Sequence, residues 1–485
     1  MARHPDRPEP VSVVIVGAGF GGIGMAIRLR RAGVRDVTVL EKSDDLGGTW
    51  LDNSYPGSAC DIPSILYSFS FERGWDWSRR YPPQEEILAY LRDCAAKHGI
   101  KPRFGTEVKE AVFDADDGRW RIRTTAGEEL TARVLITACG QLNRPAYPEA
   151  PNAFGGTAFH SSRWNHAYDL TGKRVAVLGT GASAVQFVPH VAARASQVHV
   201  FQRTPPYVLD KGDRAYIAWE RRLLRWVPGL RTLSRARTYV RLESRGLAFI
   251  TAPRLMAGAA KAFRQRLAVQ VPDRELRAAL TPGYVMGCKR ILLSDDYYAA
   301  LNRPDVELVT EPIERISERG VVTADGRERE VDAIIYGTGF RAQAFVAPMT
   351  IRGLDGRELN KTWRDGAEAY LGIAVSGFPN LFLIYGPNTN LGHTSTIYMH
   401  ESQFTYIVGC VRALSRARYI DVRPDVQDAF NRQLQRRFRD TVWTSGCTSW
   451  YTTDGGKQVN NWPGFTFTYR RATRRPDPRD FRVTV

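Results

Sequence analysis

The sequence predicts an α/β fold with two lobes of the same design and a helical insertion in the second lobe. Three observations predict it. An apolar run, a glycine-rich turn and a helical pattern follow one another near the N-terminus, and the same order returns near residue 174. Between about 212 and 285 the chain is rich in Arg, Leu and Ala and has few helix breakers. Repeated strand–turn–helix units build parallel sheets that are covered by helices.

The first unit carries a glycine motif that suits a dinucleotide. Its strand ends in Gly17-Ala-Gly19-Phe-Gly-Gly22, and the following strand ends at Glu41. Gly17 permits a tight turn, Gly19 lets the backbone approach a pyrophosphate, and Gly22 allows close helix packing. Glu41 lies 19 residues after Gly22, where a carboxylate accepts hydrogen bonds from ribose hydroxyls. This unit is therefore typical of a Rossmann-like FAD-binding domain.

The second unit repeats the motif with the charge reversed. Gly179-Thr-Gly-Ala-Ser-Ala184 follows its strand, with alanine in the third position as a permitted variant. Arg203 lies 19 residues after Ala184, where arginine binds a 2′-phosphate through charge-assisted hydrogen bonds. A Rossmann-like NADP-binding domain is therefore predicted. Its expected cofactor contacts are Gly179, Gly181, Ser183, Arg203 and Thr204.

These units divide the chain into three stretches. We expect residues 1–150 to form the first part of the FAD-binding domain and 151–332 to form the NADP-binding domain, with its helical insertion at about 212–285. Residues 333–485 then supply the second part of the FAD-binding domain and a substrate-pocket segment. The basic amphipathic stretch 220–240 has the composition of a membrane-surface contact, but a solvated helical subdomain over the pocket is the interpretation that we favour.

Charge and cysteine content narrow the class of protein. The net charge is +17, but the basic residues are spread along the chain, so we expect solvated surface and no nucleic-acid partner. Six cysteines without a CxxC pair argue against a zinc site and a disulfide framework, and favour a reducing cytoplasm. No group of His, Asp or Glu has metal-ligand spacing. A polar N-terminus and the lack of an apolar run of about 20 residues predict neither a signal peptide nor integral membrane association.

A third motif stands between the two units. It reads Phe154-Gly-Gly156-Thr-Ala-Phe-His160-Ser-Ser-Arg-Trp164-Asn165, and with it the chain resembles the Baeyer-Villiger monooxygenases, whose motif is FxGxxxHxxxW followed by Pro or Asp. Phe154, Gly156, His160 and Trp164 match this pattern, and Asn165 departs from it. The resemblance covers nearly the whole chain and is weakest in the helical insertion. It implies that His160 belongs to a connection that adjusts the lobes and takes no direct part in catalysis.

The resemblance also implies a reaction. NADPH reduces FAD, the reduced flavin traps O2 as a peroxyflavin, and the peroxide attacks a ketone carbonyl to give an ester or lactone. Arg290 matches the family's active-site arginine, and Asp61 matches the carboxylate that pairs with it and holds it near the flavin. A guanidinium suits this role because it stays charged while lining an apolar pocket.

Further cofactor contacts follow from the same resemblance. Lys289 joins Arg203 around the 2′-phosphate, and Trp450 resembles an aromatic that flanks the nicotinamide, although a tryptophan of the core fits its position nearly as well. The remaining contacts are Gly48, Thr49 and Trp50.

Three other functions use parts of this pattern. A sister flavin monooxygenase would oxidise nitrogen or sulfur with the same cofactors, but Arg290 with Asp61 favours the carbonyl reaction. A pyridine nucleotide-disulfide reductase needs two neighbouring cysteines beside the flavin, whereas Cys60 has no neighbour. A flavoprotein without turnover, acting as a redox or binding module, is disfavoured by the intact cofactor residues. The structure of the ketone and the oligomeric state stay open at this point.

Overall fold

The first sheet forms around the N-terminal strand. In the computed structural model, which describes residues 11–72 and 74–485, Val13–Val16 pairs in parallel with Val37–Leu40 on one side and Val134–Thr137 on the other. Continuous apolar runs suit such strands because helices cover both faces of a parallel sheet. The elements of this stretch are β1 (Val13–Val16), α1 (Phe20–Arg31), β2 (Val37–Leu40), α2 (Thr49–Asp52), α3 (Gln84–Lys97), β3 (Val108–Asp114), β4 (Arg119–Thr124), β5 (Glu129–Ala132) and β6 (Val134–Thr137).

The second sheet repeats the design with five parallel strands. Its elements and those that interrupt it are β7 (Thr157–His160), β8 (Arg174–Leu178), α4 (Ala182–Ala192), β9 (Gln197–Phe201), β10 (Val208–Leu209), α5 (Ala218–Trp226), α6 (Leu230–Ile250), α7 (Leu255–Gln270), α8 (Arg274–Ala279), β11 (Leu292–Leu293), α9 (Tyr297–Leu301), β12 (Val306–Val309), β13 (Ile313–Ile316), β14 (Gly320–Thr323), β15 (Glu328–Glu330) and β16 (Ala333–Tyr336). The strand order is β12-β9-β8-β16-β7. The expectation of two parallel, dinucleotide-type sheets is confirmed.

The helical insertion lies between two strands that pair with each other. β10 and β11 run in parallel, and α5 to α8 fill the chain between them. Phe263 and Leu267 on α7 are buried in the core of the second lobe, where the Phe263 ring lies 4.9 Å from that of Tyr207. Asp273 accepts a hydrogen bond of 2.7 Å from the Leu276 amide and so caps α8. The insertion is thus anchored by α7, while α5 has no buried residue.

The C-terminal part returns to the first lobe. Its elements are β17 (Thr350–Arg352), α10 (Leu359–Thr362), β18 (Leu381–Leu383), α11 (Thr396–Ala413), β19 (Tyr419–Val422), α12 (Pro424–Phe438), α13 (Thr466–Ala472) and β20 (Phe481–Thr484). β18 pairs with β6 and completes the order β18-β6-β1-β2, and β17 joins β3 of an otherwise antiparallel sheet. The first lobe is therefore discontinuous in sequence.

One expected boundary needs correction. The sequence predicts the end of the second lobe at 332, but β16 pairs with both β7 and β8 and belongs to the second sheet. The lobe therefore extends at least to Tyr336. An apolar strand taken alone does not show which sheet it joins, because both sheets use the same residue pattern.

Two features are absent from residues 11–72 and 74–485. No helix there is both long enough and apolar enough to cross a bilayer. No group of three or more His, Cys, Asp or Glu side chains there is placed to hold a metal ion.

Candidate active site

The turn after β1 leaves no room for side chains. Gly17 has a φ of 105°, and a Cβ atom there would lie 2.6 Å from the Ala138 carbonyl oxygen. A Cβ on Gly22 would lie 1.8 Å from the Gly17 carbonyl oxygen. Gly19 precedes the first turn of α1, and no side chain caps that helix. The free amide groups at the helix N-terminus are therefore available to an anion such as a pyrophosphate.

Glu41 stands beside this turn. It is 7% exposed, and its carboxylate accepts hydrogen bonds from the backbone amides of Ala18, at 2.7 Å, and Ser43, at 3.0 Å. A carboxylate has about four acceptor positions, so it can still accept from ribose hydroxyls. These contacts hold Glu41 at the end of β2, in the position expected for a ribose ligand.

A second glycine turn faces the first. Gly48 packs against Gly19, because a Cβ on Gly48 would lie 3.2 Å from the Gly19 Cα. Thr49 opens α2, and Trp50 is buried with its indole Nε1 donating a 3.1 Å hydrogen bond to the Tyr67 hydroxyl. The backbone of 47–50 thus borders the groove above Gly19, which fits the expectation that Gly48, Thr49 and Trp50 contact the flavin cofactor.

The turn after β8 reproduces the geometry of the first turn. Gly179 has a φ of 104°, and a Cβ there would lie 2.6 Å from the Gly337 carbonyl oxygen. Gly181 precedes α4, which also has no side-chain cap, and Ser183 is the second residue of that helix. The Thr180 hydroxyl donates a 3.4 Å hydrogen bond to the Thr204 carbonyl and ties the turn to the chain after β9. A second pyrophosphate position therefore faces α4.

Two cations meet near this second turn. Arg203 is exposed at the end of β9, and Lys289 lies with its ammonium 4.9 Å from the centre of the Tyr284 ring. Burial, and then the nearby charge of Arg203, lowers the pKa of Lys289. No carboxylate in the described part of the chain forms an ion pair with either side chain. Two neighbouring cations without an anion are a suitable receptor for a phosphate group.

Arg290 and Asp61 form an ion pair at the junction of the lobes. The guanidinium Nη2 donates to Asp61 Oδ2, and 34% and 30% of the two side chains remain accessible. Attraction by Asp61 raises the pKa of Arg290 against the effect of burial. Burial is the largest single influence on Asp61 and alone would raise its pKa, but the charge and the hydrogen bond of Arg290, together with the charge of Lys211, lower the pKa overall. Both groups therefore stay charged where the lobes meet.

The segment that carries Asp61 is fixed to the second lobe. The Tyr55 hydroxyl donates a 2.9 Å hydrogen bond to Gln186 Oε1, and Gln186 Nε2 donates a 2.8 Å bond to the Ala59 carbonyl. Gly57 is required here, because a Cβ would lie 2.4 Å from the His190 ring. Asp61 thus reaches Arg290 from the first lobe while its own loop rests on α4.

Two tyrosines lie beside the Arg290–Asp61 ion pair and were not predicted from the sequence. Burial raises the pKa of both Tyr385 and Tyr451. Both side chains lie near Arg290, whose charge partly opposes this rise. Burial raises the pKa of Tyr451 to about 12, and its hydroxyl has no hydrogen-bond partner in the described residues. The Tyr385 hydroxyl donates a 2.6 Å bond to Asn390. Tyr385 precedes Gly386-Pro-Asn388, a motif that could have pointed to it, whereas Tyr451 had only the neighbouring Trp450 as a signal.

Trp450 is half-buried beside Tyr451, with ring centres 4.5 Å apart. Asn460 Nδ2 donates a 2.6 Å hydrogen bond to its carbonyl oxygen. Three residues earlier, Cys447 forms a disulfide with Cys288, and the two Cα atoms are 6.3 Å apart. This corrects the expectation that the cysteines form no such pairing. A separation of 159 residues hid it, because cysteine spacing does not show which distant loops meet.

The third motif lies where the chain passes from the first lobe to the second. His160 Nε2 donates a 3.0 Å hydrogen bond to the Gly339 carbonyl, and its Nδ1 accepts a 3.1 Å bond from the Ser162 amide. Burial lowers the pKa of His160, so the ring is neutral at neutral pH. Trp164 packs its ring 5.1 Å from Phe159, and the Phe154 ring occupies the space where a side chain on Gly156 would lie. These contacts are structural, since the ring nitrogens of His160 are both engaged.

Comparison with known proteins agrees with this geometry. Residues 14–218 match the family model described as pyridine nucleotide-disulphide oxidoreductase. The chain is 43% identical to a Baeyer-Villiger monooxygenase of Streptomyces coelicolor, with 100% of this chain and 94% of that protein covered. It is also 43% identical to a Baeyer-Villiger monooxygenase of Pseudomonas aeruginosa, with 99% and 93% covered.

Two solved structures share the whole architecture. Steroid monooxygenase in its oxidised form bound to NADP is 30% identical, with a TM-score of 0.87 and coverage of 98% of this chain and 99% of that chain. The OTEMO complex with FAD and NADP is 25% identical, with a TM-score of 0.89 and coverage of 99% and 100%. On the strength of its identity to full-length relatives, the chain belongs to the Baeyer-Villiger monooxygenases.

Proposed function

We propose that this protein consumes NADPH and O2 to insert one oxygen atom beside the carbonyl of a small-molecule ketone, which yields an ester or a lactone. The second oxygen atom leaves as water. The observation that carries the proposal is the Arg290–Asp61 ion pair, which joins a loop of the first lobe to the second lobe. The reaction develops negative charge on oxygen, and a fixed guanidinium in a site of low polarity stabilises such charge.

We assign FAD to the first lobe and NADP to the second. The glycines at 17, 19 and 22 with Glu41 suit an FAD pyrophosphate and ribose, and the turn at Gly179 with Arg203 and Lys289 suits the pyrophosphate and 2′-phosphate of NADP. When bound, the two cofactors carry electrons from NADPH to O2 and supply the oxidant. We assign the protein to the cytoplasm, where NADPH is a fitting electron donor.

Arg290 is the residue to which we assign catalysis. Its charge does not vary over the working pH range, because Asp61 raises an already high pKa. Asp61 acts as a positioning residue, since its carboxylate fixes the direction of the guanidinium from the opposite lobe. The half-buried ring of Tyr385 and the buried ring of Tyr451 lie beside the pair and limit the entry of water. Exclusion of water protects a reactive oxidant from release as hydrogen peroxide.

The decisive experiment measures products. FAD-loaded protein is supplied with NADPH and a panel of cyclic, linear and aryl ketones plus one thioether, and products are identified by mass spectrometry. Incubation under 18O2 places one labelled oxygen atom in each ester or lactone. We expect labelled esters or lactones from at least one ketone. A sulfoxide as sole product, or hydrogen peroxide alone across the panel, would contradict the proposal.

A further inference from the structure

The helix α5 exposes an unusual amount of apolar surface. Trp219 is 60% exposed and Trp226 is 70% exposed, although tryptophan is a residue that proteins usually bury in large part. With Leu223 these residues stand at positions i, i+4 and i+7, so all three share one side of the helix. We call these three residues the outer face of α5. Leu233, at the start of α6, continues the apolar surface and is 67% exposed.

The opposite side of α5 accounts for how the helix is held. Arg221 forms a 2.7 Å ion pair with Asp76 of the first lobe, and Leu224 lines a cavity between α5 and the segment 64–77. Glu220 accepts a 3.2 Å hydrogen bond from the Ile217 amide and pairs with Arg214 at 2.7 Å. These contacts are made by Glu220, Arg221 and Leu224, none of which belongs to the outer face. The outer face is therefore available without disturbing the fold.

The charge around the outer face is one-sided. Residues 217–245 contain eight arginines against two glutamates. Of these glutamates, Glu220 is paired with Arg214, and Glu243 is buried where it accepts hydrogen bonds from Thr466. Within the described part of the chain, no carboxylate lies at ion-pair distance from Arg222 or Arg225. The surface beside the two tryptophans is thus positively charged.

This combination favours one kind of partner. Tryptophan prefers the boundary between lipid headgroups and acyl chains, and arginine beside it binds anionic headgroups. The Arg225 guanidinium lies 5.3 Å from the centre of the Trp226 ring, which places cation and aromatic side by side as such a boundary requires. A second copy of this chain would bring the same positive charge against itself, and like charges that meet in an interface cost free energy.

We propose that the outer face of α5 docks the protein peripherally on bilayers that contain anionic lipid. The rings of Trp219 and Trp226 enter the headgroup boundary, and Arg222 and Arg225 contact lipid phosphates. The helix lies in the plane of the surface and does not cross it. This goes beyond the proposed oxidation reaction, and it can fail while that reaction stands, because adsorption is measured without ketone or NADPH.

The experiment is co-sedimentation of the full-length FAD-loaded protein with vesicles at 150 mM salt. One set of vesicles is phosphatidylcholine alone, and the other contains phosphatidylcholine and phosphatidylglycerol. We expect binding to the anionic vesicles and little to the neutral ones. The double variants Trp219→Ser/Trp226→Ser and Arg222→Glu/Arg225→Glu should each lower the partition coefficient at least about tenfold.

Matched controls separate this face from general surface effects. Val269→Ser removes an apolar side chain that is 81% exposed on α7 of the same insertion, and Arg436→Glu/Arg437→Glu reverses two exposed charges on α12. Both controls should bind anionic vesicles within about twofold of the parent protein. Equal binding to both vesicle types, or no effect of the tryptophan variant, overturns the proposal. Sedimentation velocity adds a third adverse outcome: if the tryptophan variant instead splits a dimer, the face is an interface between copies.

Discussion

At the residue scale, the most informative contact is the one between Arg290 and Asp61. Each side chain comes from a different lobe, and each shifts the pKa of the other toward the charged form. A half-buried tyrosine, Tyr385, and a buried one, Tyr451, complete the surroundings of the pair. Because the arginine keeps its charge throughout turnover, its effect should fall on the oxygen-transfer step and spare the binding of cofactors.

Arg290→Ala should leave bound FAD and the rate of flavin reduction by NADPH within about threefold of the parent values. Ester formation should fall at least about 100-fold, as expected when a fixed charge near a developing oxyanion is lost. Anaerobic stopped-flow absorbance measures reduction, and mass spectrometry measures ester. Arg290→Lys keeps the charge without the guanidinium fork and should fall between the two. An alanine variant that makes ester at the parent rate would remove Arg290 from catalysis.

Arg203→Ala should raise the KM for NADPH roughly tenfold to 100-fold and leave the KM for NADH nearly unchanged. The reason is that only NADPH carries the 2′-phosphate, and a hydrogen bond to a charged group contributes about 1.5–3 kcal/mol. Lys289→Ala should act in the same direction. Steady-state kinetics with both cofactors measure the effect, and Arg315→Ala, an exposed arginine on β13, is the control. Equal losses with both cofactors would place the phosphate elsewhere.

His400 should make stability depend on pH. Burial lowers its pKa to about 4, whereas an imidazole in the unfolded chain titrates near about 6.5. As the pH falls from about 6.5 to about 4, the unfolded chain binds a proton that the folded protein does not, so the free energy of unfolding decreases. Between pH 7 and 5 the decrease due to His400 is about 2 kcal/mol.

Urea unfolding of the parent protein and of His400→Phe at these two pH values isolates the effect of His400. The phenylalanine variant should lose about 2 kcal/mol less than the parent between pH 7 and 5. His166→Phe alters an exposed histidine and should keep the parent dependence. Identical pH dependence in the parent and in His400→Phe would show that burial does not depress this pKa.

At the scale of elements, the same strand–turn–helix motif occurs twice. A parallel strand runs into a glycine turn and an uncapped helix N-terminus, first at β1 and α1 and again at β8 and α4. Gly17 and Gly179 have nearly the same φ. A Cβ atom on either residue would lie 2.6 Å from a carbonyl oxygen, that of Ala138 or that of Gly337. The backbone therefore requires glycine at both positions. The charged residue after the next strand, Glu41 in the first lobe and Arg203 in the second, distinguishes the two sites.

Gly22→Ala should abolish FAD binding, because the new Cβ would lie 1.8 Å from the Gly17 carbonyl and would push α1 away from the turn. Absorbance at the flavin maximum after gel filtration measures FAD per chain. Gly258→Ala is the control, since no atom lies within 4 Å of its Cβ position on α7. That control should keep FAD and gain up to about 1 kcal/mol in stability. Full FAD occupancy in Gly22→Ala would contradict the assignment of this turn.

At the scale of the whole molecule, the lobes are joined by contacts far apart in sequence. The segment around Asp61 rests on α4, His160 binds the Gly339 carbonyl, and the Cys288–Cys447 disulfide links the end of the insertion to the segment that carries Trp450. The last of these places a covalent link within three residues of both Arg290 and Trp450. The candidate site is therefore assembled by tertiary structure from three separate stretches of chain.

The disulfide predicts a thiol count. Protein denatured without reductant in the presence of the alkylating reagent should show four labelled cysteines by mass spectrometry, and six when it is reduced first. Cys447→Ser should lower the free energy of unfolding by up to about 5 kcal/mol, because a long loop is released in the unfolded chain. Cys139→Ser changes a free, half-buried cysteine and serves as the control. Six labelled cysteines without reductant would show that the pair stays reduced.

The two dinucleotide lobes, the helical insertion and a cofactor for each lobe could be predicted from local sequence, because turn glycines and the charge after the second strand follow from backbone geometry and ligand charge. The order β18-β6-β1-β2, the strand β16 in the second sheet and the pairing of Cys288 with Cys447 were decided only by tertiary structure. The same holds for the tyrosines around Arg290 and for the outer face of α5. Local pattern specifies what an element is, but strands of both sheets share one pattern, and only packing decides which distant residues meet.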